Sequence, residues 1–263
     1  MTDRPVLTAA LIARAHPDPV PDDAAAVPLL SEAETEALLA AALAAKPGPP
    51  DEIWLFAYGA LMWRPEFPFA ERRAAGLPGW HRRFCLWQWR FRGTRDNPGV
   101  MLALDRGGRC RGLAYRLAGP DPLAALRPVW HREMRGRGYA ARWLAARTEA
   151  GTVPALAFVA NRAGERYAGR LGEEAIAARI AAACGHLGPN AEYLLNTAAS
   201  CAALGLRDRH LERLQALVAA RLEAAARARA GAADMAAGAA RRPPARRPPA
   251  ARAPASPEPE PEA

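Results

Sequence analysis

Hydrophobic residues follow two different periods along this chain. Between Ile53 and Ala160 they gather in short runs bounded by glycine, proline and aspartate, whereas from Glu173 onward they recur at helical spacing. The first kind of run predicts β-strands over Ile53–Tyr58 (IWLFAY), Arg83–Phe91 (RFCLWQWRF), Val100–Leu104, Arg109–Leu117, Ala140–Thr148 and Thr152–Ala160. Asp105-Arg106-Gly107-Gly108 reads as a turn between the third and fourth, and Glu149-Ala150-Gly151 as a hairpin turn between the last two. About six short strands joined by tight turns predict a closed or nearly closed sheet, since closure removes exposed edges.

The helical pattern is equally local. Ile176, Ile180 and Cys184 share one face, Gly185–Pro189 breaks it, a second helix spans Ala191–Leu204, and a third begins near Asp208. Upstream, Ser31-Glu32-Ala33-Glu34 is a capping box, opening a helix through Leu38, Leu39, Ala42 and Leu43 that ends near Lys46. Pro47-Gly48-Pro49-Pro50 then marks a boundary, so residues 1–50 read as a helical arm with a proline-rich linker. Residues 51–223 hold the strands and most helices. Residues 224–263 are alanine, arginine and proline with little to bury, and read as a disordered tail.

One residue breaks the apolar pattern. Pro120–Tyr139 (PDPLAALRPVWHREMRGRGY) begins as a helix, with Leu123, Leu126, Trp130 and Met134 at helical spacing. That spacing places Glu133 on the apolar stripe. A carboxylate there loses water, which penalises the charged form and raises its pKa toward the range a general acid or base needs. An ion pair with Arg132 or Arg135 explains the same placement structurally. Spacing alone leaves both readings open.

Composition narrows the function classes. The formal charge is +9, which invites an anionic partner, but Lys46 is the only lysine among 36 basic residues. Arginine, alanine, proline and glycine share GC-rich codons, and the arginines are dispersed along the chain, so no nucleic-acid partner is expected. Cys85, Cys110, Cys184 and Cys201 form no CxxC pair, which argues against zinc and for free thiols. No apolar run reaches membrane-spanning length, and Asp3 spoils the short stretch Val6–Ala15 as a signal peptide. The expected location is cytoplasmic, with no membrane partner. The three serines, at 31, 200 and 256, sit in no nucleophile elbow, and no phosphate loop or dinucleotide fingerprint occurs. His131-Arg132-Glu133 lacks the Pro-Cys-x-x-Cys partner of zinc deaminases. No cofactor and no metal are therefore expected. Tyr58-Gly59-Ala60-Leu61, where a strand turns abruptly, offers outward backbone amides for a carboxylate or oxyanion, although a lone Tyr-Gly is more often an ordinary strand end.

An ordered set of segments carries a resemblance. Trp54–Pro65 (WLFAYGALMWRP), Gly79–Cys85 (GWHRRFC), Arg92-Gly93-Thr94 with Pro98-Gly99, Arg132-Glu133 with Gly138-Tyr139, Gly188–Leu195 (GPNAEYLL) and Leu204–Asp208 appear in sequence. Together they resemble the ChaC family of γ-glutamylcyclotransferases over about residues 51–222. The resemblance implies an α+β fold, a small mixed β-barrel with surrounding helices. It also implies cleavage of glutathione to 5-oxoproline and Cys-Gly, with no cofactor. On it, Glu133 is the catalytic base, and Leu55, Tyr58, Gly59, Ala60, Leu61 and Tyr139 bind substrate. Ala60 departs from the family, which usually carries serine there. Other γ-glutamyl amines or dipeptides as substrate, or a non-catalytic ligand-binding module of the same fold, are the alternatives. Monomer and dimer are both compatible with the sequence.

Overall fold

The computed structural model describes residues 6–240 apart from 17, 19, 24 and 26, with side chains described as far as Ala232. The chain divides into two units, residues 1–226 and 227–263. In order, the elements are α1 (Ala9–Ala15), α2 (Glu32–Ala44), β1 (Trp54–Ala57), α3 (Ala60–Trp63), β2 (Phe69–Gln88), β3 (Gly99–Leu117) and α4 (Pro122–Met134). They continue with β4 (Tyr139–Thr148), β5 (Gly151–Ala160), α5 (Glu173–Ala182), the short pair β6 (Cys184–Gly185) and β7 (Gly188–Pro189), α6 (Asn190–Ala203) and α7 (Arg209–Ala240).

The strands close into a barrel in the order β1-β3-β2-β4-β5. Neighbours pair antiparallel except at the closure, where β1 runs parallel to β5 with Trp54 opposite Ala155 and Leu55 opposite Leu156. That seam, together with a further parallel contact of β3 with β5 at Leu104–Val159, makes the barrel mixed. All four residues of β1 are buried, as a strand covered on both faces requires.

Among the described residues the barrel has five strands, and the difference from the predicted six lies at Asp105–Gly108. No turn forms there: β3 is continuous, and Gly107 (φ +105°) and Gly108 (φ +67°) absorb a bend opposite Gly79 (φ +79°) of β2. The register passes from Pro78–Arg109 to Trp80–Arg106 across that bend. Asp105 is buried rather than solvated, accepting from Arg162 and from the Tyr167 hydroxyl at 3.0 Å. A turn aspartate normally faces water, and this one is held inside by partners remote in sequence. β2 also starts at Phe69, well before the predicted Arg83, because its first half pairs with β3 along an exposed, polar stretch.

The N-terminal arm joins the core. Leu7, Leu11, Ile12 and Leu39 belong to the same apolar cluster as the barrel interior. The Ser31 capping box forms as read, with Ser31 N–H donating to Glu34 at 2.8 Å. Trp143 of β4 and Trp130 of α4 donate their indole N–H groups to the Ala42 and Thr35 carbonyls of α2, at 2.8 and 2.9 Å.

At the other end, α7 continues through Ala240, past the boundary expected at 224. Alanine and arginine are strong helix formers, so a segment with nothing to bury can still be helical. The remainder of the expected disordered tail, 241–263, lies outside the described residues. Among the described residues no helix is long and apolar enough to cross a membrane, and all four cysteines are free thiols.

Candidate active site

β1 delivers Tyr58 and Gly59 to the rim of the barrel, and the chain turns at Gly59 into the single turn of α3. A helix start leaves its first amides without intrahelical acceptors, here those of Ala60 and Leu61. Gly59 O already accepts from Met62 N–H at 2.9 Å, fixing the turn. A Cβ added to Gly59 would lie 2.7 Å from the hydroxyl oxygen of Tyr193 on α6. The glycine is therefore required by close approach of a neighbouring side chain.

The second contribution comes from α4. Asp121 caps its start by accepting from Leu123 and Ala124, and Leu126, Trp130 and Met134 bury its inner stripe. Glu133 follows that stripe inward and its side chain is 17% exposed. Burial raises its pKa above the ordinary carboxylate value, and Arg132 opposes the rise. Arg132 donates to Glu133 Oε1 from Nε at 3.0 Å and from Nη2 at 2.9 Å, and also bonds Glu66. The carboxylate is thus ion-paired and at the same time lines a cavity.

That cavity has a volume of about 560 Å³, and Tyr58, Gly59, Ala60, Leu61, Glu133 and Tyr139 all line it. The Tyr58 hydroxyl donates to Phe158 O at 2.6 Å and the Tyr139 hydroxyl to Leu102 O at 2.9 Å. Burial pushes both phenols well above their usual pKa, with the nearby Glu133 charge adding to it. They are fixed, neutral walls. Leu55 does not line the cavity: it is fully buried in β1, where its side chain serves the core. Ala60 presents a methyl group where the resemblance leads one to expect a hydroxyl.

The family model for ChaC-like proteins matches residues 53–221. The chain belongs to the ChaC-like family. Among its relatives, the glutathione-specific γ-glutamylcyclotransferase of Escherichia coli is 41% identical over 183 residues, covering 68% of this chain and 78% of that protein. The glutathione-specific γ-glutamylcyclotransferase 1 of Mus musculus is 35% identical over 172 residues, covering 63% of this chain and 77% of its own. A crystal structure of a glutathione-specific γ-glutamylcyclotransferase from yeast superposes with a TM-score of 0.59 at 19% identity, covering 64% of this chain and 96% of that one. At that identity the superposition shows a shared fold.

Within this ChaC-like chain the sequence reading missed two cavity residues. Tyr193 lies in the quoted segment GPNAEYLL, and its place on the inner face of α6 with Leu194, Thr197 and Cys201 was its only signal. Arg166 had none. It follows β5 in a loop and is buried, donating to Trp87 O at 3.0 Å, Gly136 O at 3.2 Å and Gln88 Oε1 at 3.3 Å. Burial lowers its pKa, and it forms no ion pair among the described residues. His131, beside Glu133, pairs with Glu36 at 2.6 Å. Among the described residues no cluster of histidine, cysteine and carboxylate side chains is placed to hold a metal ion.

Proposed function

We propose that the chain is a γ-glutamylcyclotransferase, a lyase that cleaves glutathione to 5-oxoproline and Cys-Gly with Glu133 as its base. The carrying observation is a buried carboxylate of raised pKa in the same cavity as the Gly59 turn. The names of the E. coli and mouse relatives support the substrate.

The chemistry follows from glutathione itself. Its γ-glutamyl unit carries an α-ammonium group within reach of its own γ-carbonyl. Glu133 takes one proton from that ammonium, and the freed amine attacks the γ-carbon, closing a five-membered ring. Negative charge gathers on the carbonyl oxygen, where the Leu61 amide is the candidate donor, the Ala60 amide being engaged by the Tyr193 hydroxyl. The C–N bond to cysteine then breaks as the proton held by Glu133 goes to the departing amine, and the freed carboxylate relays the extra proton of the ring nitrogen to the same amine, leaving a neutral lactam and an ammonium. Atoms balance with no water, oxidant or metal. Because the nucleophile is intramolecular, a cavity that holds the substrate curled supplies much of the entropic part of the barrier. Arg166, a buried cation that forms no direct ion pair among the described residues and feels the Glu133 charge, is placed to attract the α-carboxylate that stays on 5-oxoproline. Free thiols and a glutathione substrate support a cytoplasmic location.

The test is to incubate the purified protein with glutathione, and separately with γ-glutamyl dipeptides, and to quantify 5-oxoproline. Release of 5-oxoproline and Cys-Gly in equal amounts from glutathione is expected. Faster release from a dipeptide would reassign the substrate, and no release from any of them would remove the enzymatic reading.

A further inference from the structure

A second cavity, of about 540 Å³, shares no lining residue with the Glu133 cavity. Its walls carry six arginines drawn from three distant segments: Arg82 and Arg83 of β2, Arg109 and Arg111 of β3, and Arg207 and Arg209 at the start of α7. The bend at Gly79 and Gly107–Gly108 brings the first two pairs together, since they lie on opposite arms of the folded ribbon. Arginines dispersed in the sequence are thus gathered by the fold.

The charges do not cancel. Among the described residues Asp208 is the only carboxylate on the lining, and it is already engaged by Arg82 Nε at 3.3 Å and by the amides of His210 and Leu211 at 3.1 and 3.2 Å. Arg83 pairs with Asp105 at 3.5 Å and Arg207 with Glu212 at 3.3 Å. Arg109, Arg111 and Arg209 form no ion pair among the described residues, and all three are exposed. Guanidinium groups lining one cavity repel one another unless an anion intervenes, and their planar forks fit phosphate oxygens two at a time.

We propose that this basic cavity binds a small ligand bearing two or more linked phosphate groups. Three unpaired guanidinium groups match a multiply charged anion better than a single carboxylate. The cavity's size suits a small molecule. Phenylalanine, tyrosine and tryptophan are missing from its lining, so it offers no stacking platform for a base or a single-stranded nucleic acid. Recognition falls on the phosphates. The site stands whether or not the Glu133 cavity has the function proposed above.

The experiment is calorimetric titration of the full chain with inorganic tripolyphosphate, with ATP and with a single-stranded RNA oligomer, at low and at physiological salt. One-to-one binding of tripolyphosphate is expected, weakening with salt, with ATP binding comparably. Arg109→Ala/Arg111→Ala should weaken it at least tenfold with melting temperature and glutathione turnover unchanged. Arg109→Lys/Arg111→Lys should restore most of the affinity. The proposal is overturned if tripolyphosphate does not bind, if ATP alone binds, if the double alanine variant binds equally well, or if the RNA oligomer binds more tightly than either small anion.

Discussion

Arg132 grips one oxygen of Glu133: its Nε and Nη2 both donate to Oε1, at 3.0 and 2.9 Å, while its Nη1 reaches Glu66. Oε2 accepts no hydrogen bond among the described residues. The pair therefore orients the carboxylate and restrains the pKa rise caused by burial, while leaving one oxygen for a proton. Arg132→Met removes the opposing charge and raises the Glu133 pKa further. A base works only when ionised, so the acidic limb of kcat/KM should move to higher pH. An unmoved limb in the variant's pH profile would show that a different group sets it.

At the turn, two substitutions should behave oppositely. Gly59→Val drives a branched side chain into the Tyr193 hydroxyl, since even a Cβ would lie at 2.7 Å. Displacing α3 relative to α6 misplaces the substrate, and errors of about 1 Å cost on the order of a hundredfold in rate. Ala60→Ser leaves the backbone alone and gains at most one hydroxyl contact, worth about 1 kcal/mol. Steady-state kinetics on glutathione distinguish them. Near-normal turnover by Gly59→Val would detach this loop from the site.

Much of this site was legible before the structure. Trp130 and Met134 put Glu133 on a buried face, and the apolar run of β1 stops just before Gly59. These signals are local. What sequence concealed depends on contacts far along the chain. Asp105 reads as a turn residue in the sequence because its partners, Arg162 and Tyr167, lie on another segment. Arg166 enters the cavity from a loop with no periodicity, and the arm of residues 1–50 was set apart because Leu7 and Leu11 meet the core only in three dimensions. Leu55 belongs to the segment that carries the resemblance, but in β1 it is fully buried in the core, as are its strand neighbours.

Glu173 gives a pH signature for stability. It accepts from Arg213 at 2.6 Å and pairs with His210 at 2.9 Å, and these contacts depress its pKa from 4.5 to about 2. A depressed carboxylate stabilises the fold above its unfolded value and loses that contribution as pH falls toward the folded one. Glu173→Gln should lower Tm by about 1–2 °C at pH 6, small because the pair is solvent-screened. The gap should close between pH 4.5 and about 2. A gap that widened on acidification would contradict the assignment.

Removing the residues after Ala226 should leave turnover and Tm close to those of the full chain. Leu222 is the last buried core residue of α7 among the described residues, and the unit boundary falls between Ala226 and Arg227. Thermal melts of the two proteins side by side check this. A fall of more than about 5 °C, over 1 kcal/mol at this size, would mean that the deleted segment packs on the domain.

The central claim is that Glu133 moves the proton. Glu133→Gln keeps the shape but cannot accept one. Because burial raises the carboxylate's pKa, the ionised form costs stability near neutral pH, so the variant should melt no lower than the parent there. The decisive measurement is the initial rate of 5-oxoproline release from glutathione by the folded Glu133→Gln protein. A general base contributes about a hundred- to ten-thousandfold, so the rate should fall by at least that lower figure. Retention of more than about a tenth of the parent rate would contradict the account, because no loss that small fits removal of the base.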